Sequence, residues 1–293
     1  MKRILSLGAG VQSTCVLLMS CRGVLPKLDA AVFADTQWEP REVYKHLAFL
    51  EAEAAGCGIP VHRTTRGDLR ADAVAALERP APLPGDENAG RFRWASLPLF
   101  TLGEDGKVGL IQRQCTKEYK IEPVERFIRQ ELLGLAAGQV AKSDSVELWF
   151  GISDDERSRQ RTSTKHWQSF RYPLLTDVTS PRKDTLFGRG FSRQDCKDWI
   201  AAHGYHEAPR SACIGCPFHT DAEWLRVKDD REQWADAVAF DKSIRSGNGG
   251  RITSKAYLHR SCVPLDEVIF KPKDTQVAFV YGMGNECAGM CGV

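Results

Sequence analysis

The sequence contains no apolar run that approaches the roughly 20 residues a membrane span requires. Its opening stretch, Met1-Lys2-Arg3-Ile4-Leu5-Ser6-Leu7-Gly8, carries two basic side chains but too short an apolar segment for a signal peptide. A cytoplasmic protein without a membrane partner is therefore expected. No charge of one sign dominates: 40 Lys and Arg against 38 Asp and Glu leave a net charge of +2. Overall charge thus gives no pull toward nucleic acid, and any basic site has to be found by position. Internal repeats are absent, and 42% hydrophobic with 27% charged residues excludes wholesale disorder. Cysteine, by contrast, is abundant. Ten thiols in a reducing compartment point to buried residues, metal ligation or catalysis rather than a disulfide framework.

Apolar runs and breakers alternate along the first two thirds of the chain. Residues 3–7 read as a buried strand ending at Gly8-Ala9-Gly10, followed by a helical pattern over 13–21. A second strand over 30–34 ends at Asp35-Thr36, and Pro40 opens an amphipathic helix reaching 55. A third strand is expected over 59–62, a mobile surface loop over 79–90, and a hairpin turning at Gly103 to Gly106. Further on come a helix over 121–135, a strand over 146–150 and a serine-capped helix from Ser192 ending at Gly204. Strands alternating with helices imply βαβ units and a parallel sheet. Residues 222–243 read as one helical stretch of a C-terminal extension.

Two glycines between a strand and a helix, at the first crossover, are suited to phosphate. Free amides and the positive end of the helix dipole complement an anion, and glycine lets the backbone approach it. The segment is Ser6-Leu7-Gly8-Ala9-Gly10-Val11-Gln12-Ser13-Thr14, and no Gly-Lys-Ser/Thr follows, so it is not a Walker loop.

This segment resembles the modified P-loop of the PP-loop ATP pyrophosphatase and phosphoadenylylsulfate reductase superfamily, whose pattern is S-x-S-G-G-x-D-S. Gly10 and Ser13 match, while Gly8 replaces a serine, Ala9 a glycine and Gln12 an aspartate. Further pieces follow in the superfamily's order. Asp35-Thr36 with Glu39-Pro40 resembles D-T-G followed by P-E-T, and Gly151-Ile152-Ser153 with Asp155, Glu156 and Arg161 resembles its G-x-R segment. Pro173-Leu174, the helix carrying Trp199, and Cys213-Ile214-Gly215-Cys216 complete a series covering most of residues 3–217. The resemblance implies an α/β fold with a doubly wound parallel sheet of the adenine nucleotide alpha hydrolase-like type. Residues 1–205 would form the nucleotide-binding domain, and 206–293 a cysteine-containing helical extension and tail. It implies that Ser6, Gly8, Ala9, Gly10, Gln12, Ser13, Thr14, Asp35, Thr36, Gly151 and Arg161 hold ATP or a (phospho)adenylylsulfate, with Asp35 also catalytic. Magnesium would accompany ATP. The amide of Gln12 can bind phosphate but brings no negative charge toward magnesium, which leaves ATP cleavage open.

Cys213-x-x-Cys216 has the spacing that lets two thiolates grip one metal or cluster, and zinc, iron-sulfur and redox uses all fit it. By the same resemblance, Arg113-Gln114-Cys115-Thr116 matches the segment where iron-sulfur members carry a ligand. The implied 4Fe-4S set is Cys115, Cys213, Cys216 and, from the tail, Cys287, with Cys262 and Cys291 as other candidates for the fourth place. Glu286-Cys287 resembles the reductases' C-terminal Glu-Cys-Gly, and Cys291 is assigned as the mobile reactive thiol. Cys15, Cys21, Cys57 and Cys196 read as core residues.

Residues 157–171 hold Lys and Arg but no acid, interleaved with Trp167 and Phe170. The segment would overhang the strand ends, where it could contact nucleotide phosphates or a nucleic-acid acceptor, or be a solvated loop. Lys117, Lys120, His219, His259 and Arg260 are further possible anion partners. Two reactions remain open: an ATP-dependent sulfurtransferase served by a sulfur or electron donor protein, and a phosphoadenylylsulfate or adenylylsulfate reductase. A non-catalytic nucleotide- or zinc-binding module is the third reading.

Overall fold

The structure, a computed structural model, describes residues 1–78, 97–175, 190–246 and 254–271. Five parallel strands form its central sheet: β1 (Lys2–Leu7), β2 (Ala30–Asp35), β3 (Val61–Thr65), β6 (Val146–Phe150) and β7 (Gln168–Arg171), in the order β3-β2-β1-β6-β7. Side chains alternate across it, as the pleat requires. Leu5, Leu7, Ala31, Phe33 and Trp149 face a core shared with α1 (Val11–Cys21), α2 (Arg41–Gly56) and α5 (Arg193–Ala202). Ile4, Val32, Leu148 and Phe150 face the other side, where Val124 of α4 (Glu122–Phe127) packs with Ile128. Burial on both faces explains why these strands read as near-continuous apolar runs. The arrangement is compatible with a Rossmann-like doubly wound fold.

A second, three-stranded antiparallel sheet joins the hairpin β4 (Phe100–Leu102) and β5 (Val108–Leu110) to β8 (Lys255–Tyr257), with β4 in the middle. Its apolar neighbourhood takes in Trp38, Leu69 of α3 (Leu69–Glu78), Trp224 of α6 (Asp221–Asp229) and Phe240 of α7 (Arg231–Ile244). The buried Asp241 carboxylate ties this region together, accepting from the amides of Leu258 (2.9 Å) and Leu265 (3.0 Å).

Several local expectations are corrected. The stretch 222–243 is two helices, because Asp230 leaves the helical conformation and caps α7, accepting from the amides of Glu232 and Gln233 at 3.1 Å. The helix expected over 121–135 starts earlier, with π-helical turns Lys117–Ile121 and Ile128–Leu132 flanking α4. β3 lies two residues later than the pattern suggested. Residues 168–171 are an edge strand rather than loop, with Trp167 buried and Phe170 packed edge-on against Phe150 at 5.1 Å between ring centroids. These aromatics are therefore core residues and not exposed stacking faces. The loop expected over 79–90 lies outside the described residues. No helix among the described residues is long and apolar enough to cross a membrane.

Candidate functional site

In a parallel sheet all strands deliver their C-terminal ends to one edge. The order β3-β2-β1-β6-β7 reverses between β1 and β6, and crevices at such switch points are where ligands bind in open α/β sheets. Ser6 pairs in register with Phe150, so Gly8 and Gly151 leave the sheet side by side. Asp35 ends β2 next door.

The loop after β1 is tightly organised. Ala9 takes the left-handed conformation (φ 55°), whereas Gly10 is extended (φ −98°, ψ −179°), so the strained position is not the glycine the sequence singled out. Gly10 starts α1 without a side-chain cap, and no acid lies in the helix's first turn. Ser13 Oγ accepts from the Gly8 amide (3.2 Å) and donates to the Gly10 carbonyl (3.3 Å). Gly151 is demanded by contact: a Cβ there would stand 2.5 Å from Ser13 N. On the other side Ser211 and Pro209 lie over Gly10. Ser6, Gln12, Ser13 and Thr14 are all buried.

Gln12 reaches across the switch point. Its amide donates to Ser153 Oγ (3.2 Å) and to Glu156 Oε2 (3.4 Å), and Glu156 is paired with the buried Arg159 at 2.5 Å. A carboxylate thus stands beside the position where the resembled family carries aspartate. Sequence reasoning noted Glu156 only as trailing charge. Asp35 accepts from the Gln37 amide (2.7 Å) and from Tyr44 Oη (2.8 Å); burial and then this bond push the Tyr44 phenol well above its usual range. Arg161 turns to its own loop, donating to the carbonyls of Ser158 and Gln160 at 2.9 Å, and is not drawn toward Gly8 or Asp35 by any of these bonds.

Cys213 meets the same edge through Thr36. Thr36 Oγ1 lies 3.3 Å from Cys213 Sγ and donates to Glu39 Oε1 at 3.1 Å. Lys120 Nζ donates to the same oxygen at 3.1 Å, and Cys213 Sγ is 3.5 Å from it. Glu39 and Lys120 are a buried ion pair that the sequence did not reveal; Glu39 was visible only as a family motif residue and Lys120 as an anion partner. Glu39 Oε2 is buried and has no hydrogen-bond partner among the described residues. The Cys213–Cys216 turn is closed by the Cys216 amide donating to the Cys213 carbonyl (3.0 Å), and the Ile214 amide donates to the Trp38 carbonyl (2.9 Å). Behind it, His219 Nε2 donates to the carbonyls of Cys213 (3.0 Å) and Ile214 (3.2 Å). Burial, then the nearby Arg210, holds His219 down to a pKa of about 3, so the ring is neutral.

Cys115 and Cys213 pack in one apolar cluster. Among the described residues, however, no three His, Cys, Asp or Glu side chains are grouped closely enough to hold a metal ion. Cys287 and Cys291 lie outside the described residues. Cys262 packs elsewhere, with Phe100 and Tyr257. Cys15 and Cys196 are fully buried as expected and adjoin each other, but Cys21 and Cys57 are only half-buried, at the C-terminal ends of α1 and α2. Of the other candidate cations, His259 and Arg260 both face Asp221, at 3.4 and 2.7 Å. No family model matches the chain, and no curated protein matches it.

Proposed function

We propose that this chain is an adenine-nucleotide-dependent sulfurtransferase of the adenine nucleotide alpha hydrolase-like type, with the nucleotide's phosphates at the loop after β1. The observation that carries it is the 3.3 Å approach of Thr36 and Cys213, which joins the ligand-binding edge of the sheet to the C-x-x-C turn. A nucleotide loop and a thiol pair would otherwise be unrelated features of one chain.

In this reading the amides at the start of α1 orient the phosphates, the Ser13 hydroxyl holds the loop that presents them, and the helix dipole stabilises charge developing on them. An acceptor oxygen attacks the α-phosphorus of ATP and pyrophosphate leaves. The terminal sulfur of a persulfide, brought by a sulfur donor protein, then displaces AMP from the adenylated carbon. A second thiol attacks the resulting disulfide, releasing the thiolated product, and external thiol reduces the disulfide that remains. Cys291 is the chain's candidate for that second thiol. Glu156 favours this reading, since it puts beside Gln12 a carboxylate, shared with Arg159, that could turn to a magnesium ion bound to ATP.

The donor set of Cys115, Cys213 and Cys216, with Cys287 as fourth, suits an iron-sulfur cluster chemically, and Cys115 and Cys213 share one apolar cluster. These residues would hold it, and the cluster would supply sulfide ligation or electrons; the steps above use only the chain's own groups and the named donor.

Gln12 keeps a second reading alive, because reduction of phosphoadenylylsulfate or adenylylsulfate needs no pyrophosphate cleavage. There a thiolate attacks the sulfonate sulfur, the nucleotide leaves, and a second thiol releases sulfite with formation of a disulfide. Labelled ATP distinguishes the two: AMP and pyrophosphate formed with acceptor and donor support the transferase. Sulfite released from adenylylsulfate with a thiol supports the reductase, and neither activity together with bound zinc indicates a binding module.

A further inference from the structure

A cleft of about 780 Å³ opens on the α1, α2 and α5 side of the sheet, outside the loop after β1. Five cations from four parts of the chain line it: Lys45 on α2, Arg193 and Lys197 on α5, Arg210 in the following loop, and Arg226 on α6. Two of its three acids are neutralised locally, Glu207 by Lys197 at 2.9 Å and Glu223 by Arg210. Lys45 and Arg226 are exposed and make no ion pair among the described residues. An ordinary solvated helix face disperses such charges; here they converge on one concavity.

Two imidazole rings, His46 and His206, line the cleft beside these cations, with Phe49 and Tyr205 packed behind them. The buried His46 is hydrogen-bonded to Thr14 Oγ1 (2.8 Å), in the first turn of α1, and to His206 Nε2 (2.9 Å). His206 is exposed, with Phe49 at 4.3 Å between ring centroids, and Phe49 in turn meets Tyr205. Phosphate-seeking cations beside an exposed ring are the two parts from which single-strand binding surfaces are made.

We infer that this cleft binds a single-stranded nucleic-acid segment, with Lys45 and Arg226 on its phosphates and a base against the exposed His206 ring. It would give the proposed sulfurtransferase a nucleic-acid acceptor, and in that respect rests on that reading; strand binding itself needs neither ATP nor a sulfur donor. Failure of one is thus distinguishable from failure of the other.

The test is fluorescence anisotropy of the full chain with a labelled oligothymidylate of about 12 nucleotides, across a salt series. Lys45→Ala with Arg226→Ala should weaken binding by roughly tenfold and lower the slope of log affinity against log salt by about 1.4, at about 0.7 per cation lost. Lys165→Ala, in the basic segment 157–171, should change neither. Unaltered affinity and slope in the double variant would overturn the inference. So would an equal loss on Lys165→Ala, which would move the strand to the other basic segment, or complete displacement by an equimolar nucleoside triphosphate, which would make the cleft a mononucleotide site.

Discussion

The ring of Trp38 fills the place where a side chain on Gly215 would go: a Cβ there would stand 2.0 Å from Trp38 Cη2. The glycine inside the C-x-x-C is therefore required by contact with the loop after β2. Gly215→Ala should destabilise the protein by roughly 1–3 kcal/mol through overpacking. Urea unfolding measures this, and Trp38→Leu in the same chain should return part of the loss if the ring is the cause.

At the nucleotide loop, Gly151→Ala should abolish adenine-nucleotide binding, because its Cβ would press on the Ser13 amide. Gly10→Val should do so as well while leaving the fold intact, since a Cβ at Gly10 meets Ser211 only at 3.4 Å. Calorimetric titration with ATP checks both. Undiminished affinity in Gly10→Val would remove the loop from the site.

The Glu39 and Lys120 pair makes a stability prediction. Glu39→Gln would remove the carboxylate bonded to the buried Lys120 ammonium, at a cost of about 3–5 kcal/mol. Adding Lys120→Met should restore much of that, because an apolar neighbour asks for no partner. Denaturant midpoints of the two variants decide it.

Iron content tests the thiol assignment. Anaerobically prepared Cys115→Ser, Cys213→Ser and Cys216→Ser should each lose most iron and colour, while Cys21→Ser and Cys57→Ser keep it. Full iron in Cys115→Ser would show that any cluster is built from other ligands.

Acid should weaken the fold before the carboxylates titrate. His219 and His46 have pKa values near 3 and 4 in the folded protein, both lowered first by burial, against about 6.5 when unfolded. Below pH 6.5 the unfolded chain takes up protons that the folded chain refuses, so the stability these neutral rings provide is present above that pH and lost as pH falls toward 4. His219→Gln keeps a donor for the Cys213 carbonyl and should reduce this slope by up to about 1.4 kcal/mol per pH unit. A slope equal to wild type would contradict the buried neutral ring.

The three central strands β1, β2 and β6 were legible in the sequence because they are buried on both faces and bounded by glycine or aspartate, whereas β3, half-exposed, lies two residues later than its pattern suggested. The Ser192 cap of α5 was equally plain, and its capping box with Asp195 is present. The edge strand β7 was not, because its Gln168-Ser169-Phe170-Arg171 is polar and half-exposed, with no period to separate it from loop. At the site, the loop residues and the C-x-x-C could be found by local spacing. The meeting of Thr36, Glu39, Lys120 and Cys213 could not, since it is made by three separate segments. Gln12 read as a loss of charge, and only the fold brings Glu156 beside it.

The pairing of Thr101 with Ala256 also sets an order of assembly. β4 emerges from the ribosome long before β8, its partner on one edge, and until then that edge offers unpaired amides and carbonyls to any neighbouring chain. The hairpin leads directly into Cys115, so the finished surroundings of this thiol wait on a strand made much later than the hairpin itself. A nascent chain halted before residue 255 should consequently be a chaperone substrate, whatever the state of its parallel sheet.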